Sequence, residues 1–243
     1  MRILVLNGNT TEAITAACVA AARDAAAPAT EIIGATPAFG PTVISTRAEN
    51  AIAGHAILAT LAEHAGGIEA AILAVSHDTA LDAARQLMPC PVIGMTEAAC
   101  LTACLVGGQF GVLTLGQARP YEELVARHGL AARCAAVVGL PLTPQQAIAD
   151  PAAAEAQVLA ATTAMAERCD SVVLAGAALA GLAARLQDRA AVPLLDGIAC
   201  AVKLAEALAA LHLPKPRTGS FAAPAGRTGL GLSPALAALL SGG

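Results

Sequence analysis

Eight short apolar runs, each bounded by polar turns and interspersed with helical stretches, constrain this chain more than any other feature. The first run, Ile3-Leu4-Val5-Leu6, ends in Asn7-Gly8-Asn9-Thr10 and leads into a helix expected over 11–27, with Thr10 its candidate N-cap. Further strands are expected near 30–33, 70–75, 91–94, 110–115, 135–138, 171–175 and 192–195. Further helices are expected near 47–65, 79–87, 96–106, 120–128, 152–168, 178–189, 199–211 and 233–240. Runs such as Ala70-Ala71-Ile72-Leu73-Ala74-Val75 are continuous rather than alternating, as in strands buried on both faces. Strands that alternate with helices of this length imply parallel sheets flanked by helices, an α/β fold.

The plan is stated twice. LDAARQL at 81–87 precedes the strand opened by Pro91, and GLAARLQ at 181–187 precedes the strand opened by Pro193, 102 positions later. This echo predicts two pseudo-symmetric lobes: residues 1–103 completed by 208–243, and residues 104–207. The stretch 213–231, rich in Pro, Gly, Ser and Thr, reads as a long loop or lid before the last helix.

Composition narrows the function classes. Of 243 residues, 56% are hydrophobic and 13% charged, which excludes a disordered chain. Every apolar run is interrupted well short of the roughly 18 residues needed to cross a bilayer, and the first is too short for a signal peptide. The expectation is a soluble cytoplasmic protein with no membrane partner. Fourteen Lys and Arg against 18 Asp and Glu, a net charge of -4 and no basic patch argue against nucleic acid. The 7 cysteines include no CxxC pair, so neither zinc knuckles nor a disulfide framework is expected, and no metal site is predicted. With no Trp, 1 Tyr and 3 Phe, a pocket here would be lined by small aliphatic groups and backbone, suiting a small polar substrate.

Ligands of open parallel sheets bind beyond the carboxyl ends of the strands, so polar residues just after strands are the candidates. Four places qualify: Asn7 to Thr10, Ser76-His77-Asp78-Thr79, Thr114, and Asp196-Gly197. Asn7, Asn9 and Thr10 stand where a helix N-terminus can hold a carboxylate or another anion, and are equally ordinary turn and cap residues. His77 alone of the 5 histidines directly follows an expected strand, and an imidazole is the natural general base near neutral pH. Asp78 could orient it or cap the next helix, and Ser76 could assist.

Several separated motifs in order resemble the Asp/Glu/hydantoin racemase family, in particular its hydantoin and allantoin racemase branch. They are LNGNT at 6–10, Gly40-Pro41, DTALDAAR at 78–85, PVIGMTEAA at 91–99, AGLA at 180–183, VPLLDGIACAVKLA at 192–205 and the tail segment Thr218-Gly219-Ser220-Phe221. The resemblance implies two α/β lobes with the active site in the cleft between them, no cofactor and usually a homo-oligomer. It also implies two opposed cysteines, one removing the α-proton and the other returning a proton to the opposite face. Anchored on Asp78-Thr79 and on Ala180-Gly181-Leu182, those two positions fall on Val75 and Gly176, neither of which exchanges protons; matching the family's Cys-Asn-Thr to His77-Asp78-Thr79 instead puts His77 where the first thiol stands and still leaves Gly176 opposite. Asn9, Thr10, Thr79 and Thr114 fall where the family's substrate-binding polar groups are expected, with Asn7, Val75, Gly176 and Ala177 completing the predicted pocket.

The expected function is therefore a cofactor-independent enzyme on a small carboxylate, imide or ureide, with His77, Asp78 and Ser76 in place of thiols. A single base suits a lyase or hydrolase. A racemase with relocated acid–base groups and a binding protein that keeps the pocket without turnover are the alternatives.

Overall fold

The computed structural model describes residues 1–242, apart from the side chains of Pro144 and Ile148. Its backbone divides into two compact units, Met1–Gly94 with Val202–Gly243, and Met95–Ala201.

In the first unit β1 (Arg2–Asn7), β2 (Glu31–Ala35), β3 (Ala70–Ala74) and β4 (Val92–Gly94) form a parallel sheet in the order β2-β1-β3-β4. Helices α1 (Glu12–Ala25), α2 (Arg47–His64) and α3 (Leu81–Leu87) make the crossovers. The apolar runs are continuous because both sheet faces are covered: on one, Leu4, Leu6, Ala71 and Leu73 pack with Ile57 and Leu61 of α2 and with Leu81 and Ala84 of α3, and on the other Ile3, Val5 and Ile72 are fully buried. Burying each such leucine contributes about 1.5–3 kcal/mol. The chain leaves β1 toward one edge for β2 and returns to the other side for β3. That reversal between β1 and β3 is where an open parallel sheet parts to admit a ligand.

In the second unit α4 (Met95–Val106) leads into β5 (Phe110–Leu115), α5 (Arg119–Arg127), β6 (Cys134–Leu140), α6 (Pro144–Ala149), α7 (Pro151–Met165), β7 (Ser171–Ala175), α8 (Leu182–Leu186) and β8 (Leu194–Asp196). The strand order is β6-β5-β7-β8, again parallel, with the reversal between β5 and β7. Helix α9 (Gly197–Ala210) begins in this unit and ends in the first, where α10 (Pro234–Ser241) sets Leu236 against Ala59 and Ala62 of α2 and Leu87 of α3. The segment before α10 is tied down as well: Lys215 Nζ donates to the carbonyls of Arg85 at 2.8 Å and Met88 at 2.7 Å, closing the end of α3.

All eight expected strands are present among the described residues. Two helical stretches differ. The expected helix over 178–189 is split into a 3₁₀ turn at Ala177–Leu179, α8, and a second 3₁₀ turn at Gln187–Arg189, because Gly181 takes a left-handed φ of 75°. The short α6 is an addition to the expected helices, although Thr143 and Gln146 form a capping box at its start. No described helix is long and apolar enough to cross a membrane.

Candidate active site

In the first unit Asn7 pairs in register with Ala74, so the turn leaving β1 lies beside the turn leaving β3. The approach is close: a Cβ on Gly8 would fall 2.8 Å from Val75 Cβ and 3.1 Å from Ile44 Cδ1, so only glycine fits. Asn7 is 1% exposed and uses both of its polar side-chain atoms. Its Nδ2 donates to Asn9 Oδ1 at 3.0 Å and to the Thr11 carbonyl at 3.1 Å, and its Oδ1 accepts the Asn9 amide at 3.2 Å. Asn9 Oδ1 also accepts the Thr11 amide at 2.9 Å. Both groups that point at Asn9 Oδ1 are N–H donors, so that atom must be oxygen, and Nδ2 takes no part in these bonds. Asn7 thus commits both polar side-chain atoms to the turn, whereas Asn9 joins it through its oxygen.

The Thr10 amide donates to the Pro41 carbonyl at 3.1 Å, and the Thr10 hydroxyl lies 3.5 Å from the same oxygen. Thr10 is not the N-cap expected from the sequence. Helix α1 begins at Glu12 with Thr11 at the cap position, and the Thr11 hydroxyl donates to the Thr42 carbonyl at 2.8 Å instead of capping. These bonds lace the 40–42 loop onto the end of β1.

After β3 the chain makes two successive tight turns, closed by the Asp78 amide on the Val75 carbonyl at 3.0 Å and the Leu81 amide on the Asp78 carbonyl at 3.2 Å. Ser76 and His77 are the half-buried central residues of the first turn. Asp78 and Ala80 take left-handed φ values of 47° and 60°, a conformation that costs an L-residue roughly 1–2 kcal/mol. Asp78 is 3% exposed and its carboxylate rests on Gly94, where an added Cβ would come 2.5 Å from Oδ1. The Thr79 hydroxyl, also buried, donates to Asn50 Oδ1 at 2.5 Å. Ser76, His77 and Asp78 all make further interactions within the protein.

Two expectations for this turn change. Helix α3 begins only at Leu81, four positions past His77, and its cap residue is Ala80 with no side-chain bond. Asp78 is therefore not the cap of α3. Asn50, in the first turn of α2, is a residue that the sequence does not single out. An asparagine three residues after a helix starts reads as a surface residue, and its partner lies 29 positions away.

The second unit repeats the arrangement with other side chains. Thr114 pairs with Ala175 as Asn7 pairs with Ala74, so Thr114 corresponds to Asn7 and Gly176 to Val75. Thr114 is buried, its hydroxyl 3.5 Å from the Leu115 carbonyl. Gly176 has a φ of 139°, and a Cβ built there would meet nothing within 4 Å. Ala177 opens the 3₁₀ turn that follows, with the Leu179 amide on the Gly176 carbonyl at 2.9 Å. Asp196 serves the fold: its carboxylate accepts the amides of Gly181, Ile198 and Ala199, capping α9 and fixing the turn before α8.

Three of the thiols lie at the other end of the sheets. Cys90, Cys134 and Cys169 stand at or just before the amino ends of β4, β6 and β7, opposite the carboxyl ends that carry the polar turns. Burial pushes the Cys90, Cys134 and Cys200 thiols up to about 11 and raises Cys169, so these groups stay protonated near neutral pH. Among the described residues no group of three His, Cys, Asp or Glu is placed to hold a metal ion.

The family model described as Asp/Glu/Hydantoin racemase matches residues 3–205. This chain belongs to the Asp/Glu/hydantoin racemase family. It is 32% identical to the hydantoin racemase of Paenarthrobacter aurescens over 231 residues, 92% of this chain and 98% of that protein. Its fold matches the allantoin racemase from Klebsiella pneumoniae with a TM-score of 0.91 at 31% identity, covering 97% of this chain and 98% of that one. The allantoin racemase from Pseudomonas fluorescens gives a TM-score of 0.90 at 30% identity, over 95% of this chain and 100% of that one. Val75 and Gly176 stand at register-equivalent positions beyond β3 and β7, and both are without an acid–base group.

Proposed function

We propose that this protein is a cofactor-independent isomerase of small cyclic ureides or imides of the hydantoin and allantoin type, in which the His77 imidazole performs the proton transfer. The relatives named above move the reading from lyase or hydrolase to racemase, and they supply the substrate class. The observation that carries the thiol-free chemistry is the pair Val75 and Gly176 at equivalent strand ends, with His77 two residues beyond Val75 in a braced, half-buried turn.

Neutral His77 takes the proton from the carbon next to the ring carbonyl, and the electron pair moves onto that oxygen as an enolate. Asn9 Nδ2, a donor set in direction by Asn7 and Thr11, suits the developing negative charge. Return of a proton to either face, from the imidazolium or from water, regenerates the carbon acid and scrambles its configuration. One general base contributes roughly 10²–10⁴-fold in rate, less than two opposed groups working together.

Proton NMR in deuterated water tests this. Incubation with an L-5-substituted hydantoin and with (S)-allantoin should wash deuterium into the carbon position together with loss of optical rotation. His77→Gln should slow both by about 10²-fold or more. Ring opening or loss of CO2 in place of exchange would return the protein to the lyase and hydrolase class. Ligand binding with neither exchange nor product would identify a binding protein.

A further inference from the structure

We propose that Asn50 is a positioning residue for His77, acting through the Thr79 hydroxyl. The segment from Val75 to Leu81 consists of two tight turns with Asp78 and Ala80 in the left-handed region, a conformation such a short peptide does not keep unaided. The brace comes from a different element. Thr79 donates to Asn50 Oδ1 at 2.5 Å, tying the middle of the second turn to the first turn of α2.

That part of α2 is itself fixed. Thr46 caps the helix by accepting the Glu49 amide at 3.2 Å, and Glu49 Oε2 accepts the Ser45 and Thr46 amides at 2.8 Å each. The Ser45 amide, then the Thr46 hydroxyl and amide, hold the Glu49 carboxyl below its ordinary value, so the capping box persists across the neutral range. One turn further along, Gly54 faces Ala80, where an added Cβ would sit 3.7 Å from the Ala80 Cβ. Helix α2 therefore meets the second turn at Thr79 and Ala80, with Asn50 making a polar contact there. Since His77 is two residues from Thr79 in a chain whose turns share Asp78, loosening Thr79 lets the imidazole wander from its set direction. Only the catalytic consequence of this assignment rests on the isomerase reading; the brace does not.

The test uses Thr79→Val, which removes the hydroxyl at nearly constant shape, Asn50→Ala, which removes the acceptor, and Thr79→Ser, which restores the donor. In the unliganded full chain, amide exchange at Asp78 and Leu81 should quicken about tenfold in Thr79→Val and Asn50→Ala and stay near parental in Thr79→Ser. The NMR titration of the His77 ring protons should shift in the first two variants and not in the third, while the His64 titration stays put. Unchanged β1 amide exchange serves as the folding control, and Asn50→Ala reaches the same bond from the other side should Thr79→Val fail it. Parental exchange and parental His77 titration in both disruptive variants would overturn the assignment. Where the parent racemises hydantoin, kcat should fall more than KM rises. Where the parent does not, the isomerase reading fails and the exchange and titration results still decide the role of Asn50.

Discussion

Gly94 is where a single methyl group should report on the buried carboxylate beside His77. In Gly94→Ala the new Cβ would lie 2.5 Å from Asp78 Oδ1, 2.6 Å from its Cγ and 2.9 Å from Leu81 Cδ2. The first two contacts are about 1 Å inside an ordinary van der Waals separation, and overpacking of this kind costs roughly 1–3 kcal/mol. Replacing glycine by alanine in a compatible strand conformation offsets about 0.4–1 kcal/mol through the unfolded chain. The expected net loss is therefore about 1.3 kcal/mol. Urea dependence of amide exchange at Ile72 in β3 and Ile93 in β4 reads the stability of the sheet that carries Gly94. A double-mutant cycle isolates the cause: on an Asp78→Gly background, which removes the carboxylate and relieves the left-handed strain, Gly94→Ala should cost about 1 kcal/mol less than in the parent. The Leu81 contact remains in both backgrounds, but it is with the tip of a flexible side chain. Additivity within about 0.5 kcal/mol would refute the seating of Asp78 on Gly94.

Asn9→Asp keeps the oxygen that accepts the Thr11 amide but replaces the outward donor with a second acceptor; hydantoin binding by calorimetry should weaken at least about tenfold while stability stays within about 1 kcal/mol. Because burial raises the thiols of Cys90, Cys134 and Cys200 to about 11, the folded protein holds these protons where the unfolded chain, near 9.0, has released them. Their contribution is complete below about pH 9 and is lost as pH climbs toward 11, so stability should decline over that window, and Cys→Ala at all three should flatten the decline in an alkaline denaturation series. Ser171 is fully buried and its hydroxyl has no partner among the described residues. Ser171→Ala should raise stability by about 1 kcal/mol in urea unfolding, and a loss of similar size would mean that the hydroxyl has a partner after all.

What the sequence determined by itself is local. Strands buried on both faces must be apolar end to end and stop at polar turns, so all eight are readable from runs such as Ala70 to Ala74. The resemblance carried by LNGNT, DTALDAAR and PVIGMTEAA named the family. Short-range backbone preference is less legible. The expected helix over 178–189 breaks at Gly181, and α3 starts two residues later than expected, after Asp78 and Ala80 take left-handed φ values.

Only the tertiary structure decided what each polar side chain does. The strand order β2-β1-β3-β4 brings Asn7 beside Ala74 and so sets the Asn7 turn against Val75, a pairing across 67 positions of chain. The same packing commits Asn7 to its own turn, fixes the Asn9 amide by its oxygen, seats Asp78 on Gly94, gives the Thr79 hydroxyl to Asn50 and turns Asp196 into a helix cap. A hydrogen bond joins whichever partners the fold brings within about 3 Å, and sequence neighbours carry no record of that distance.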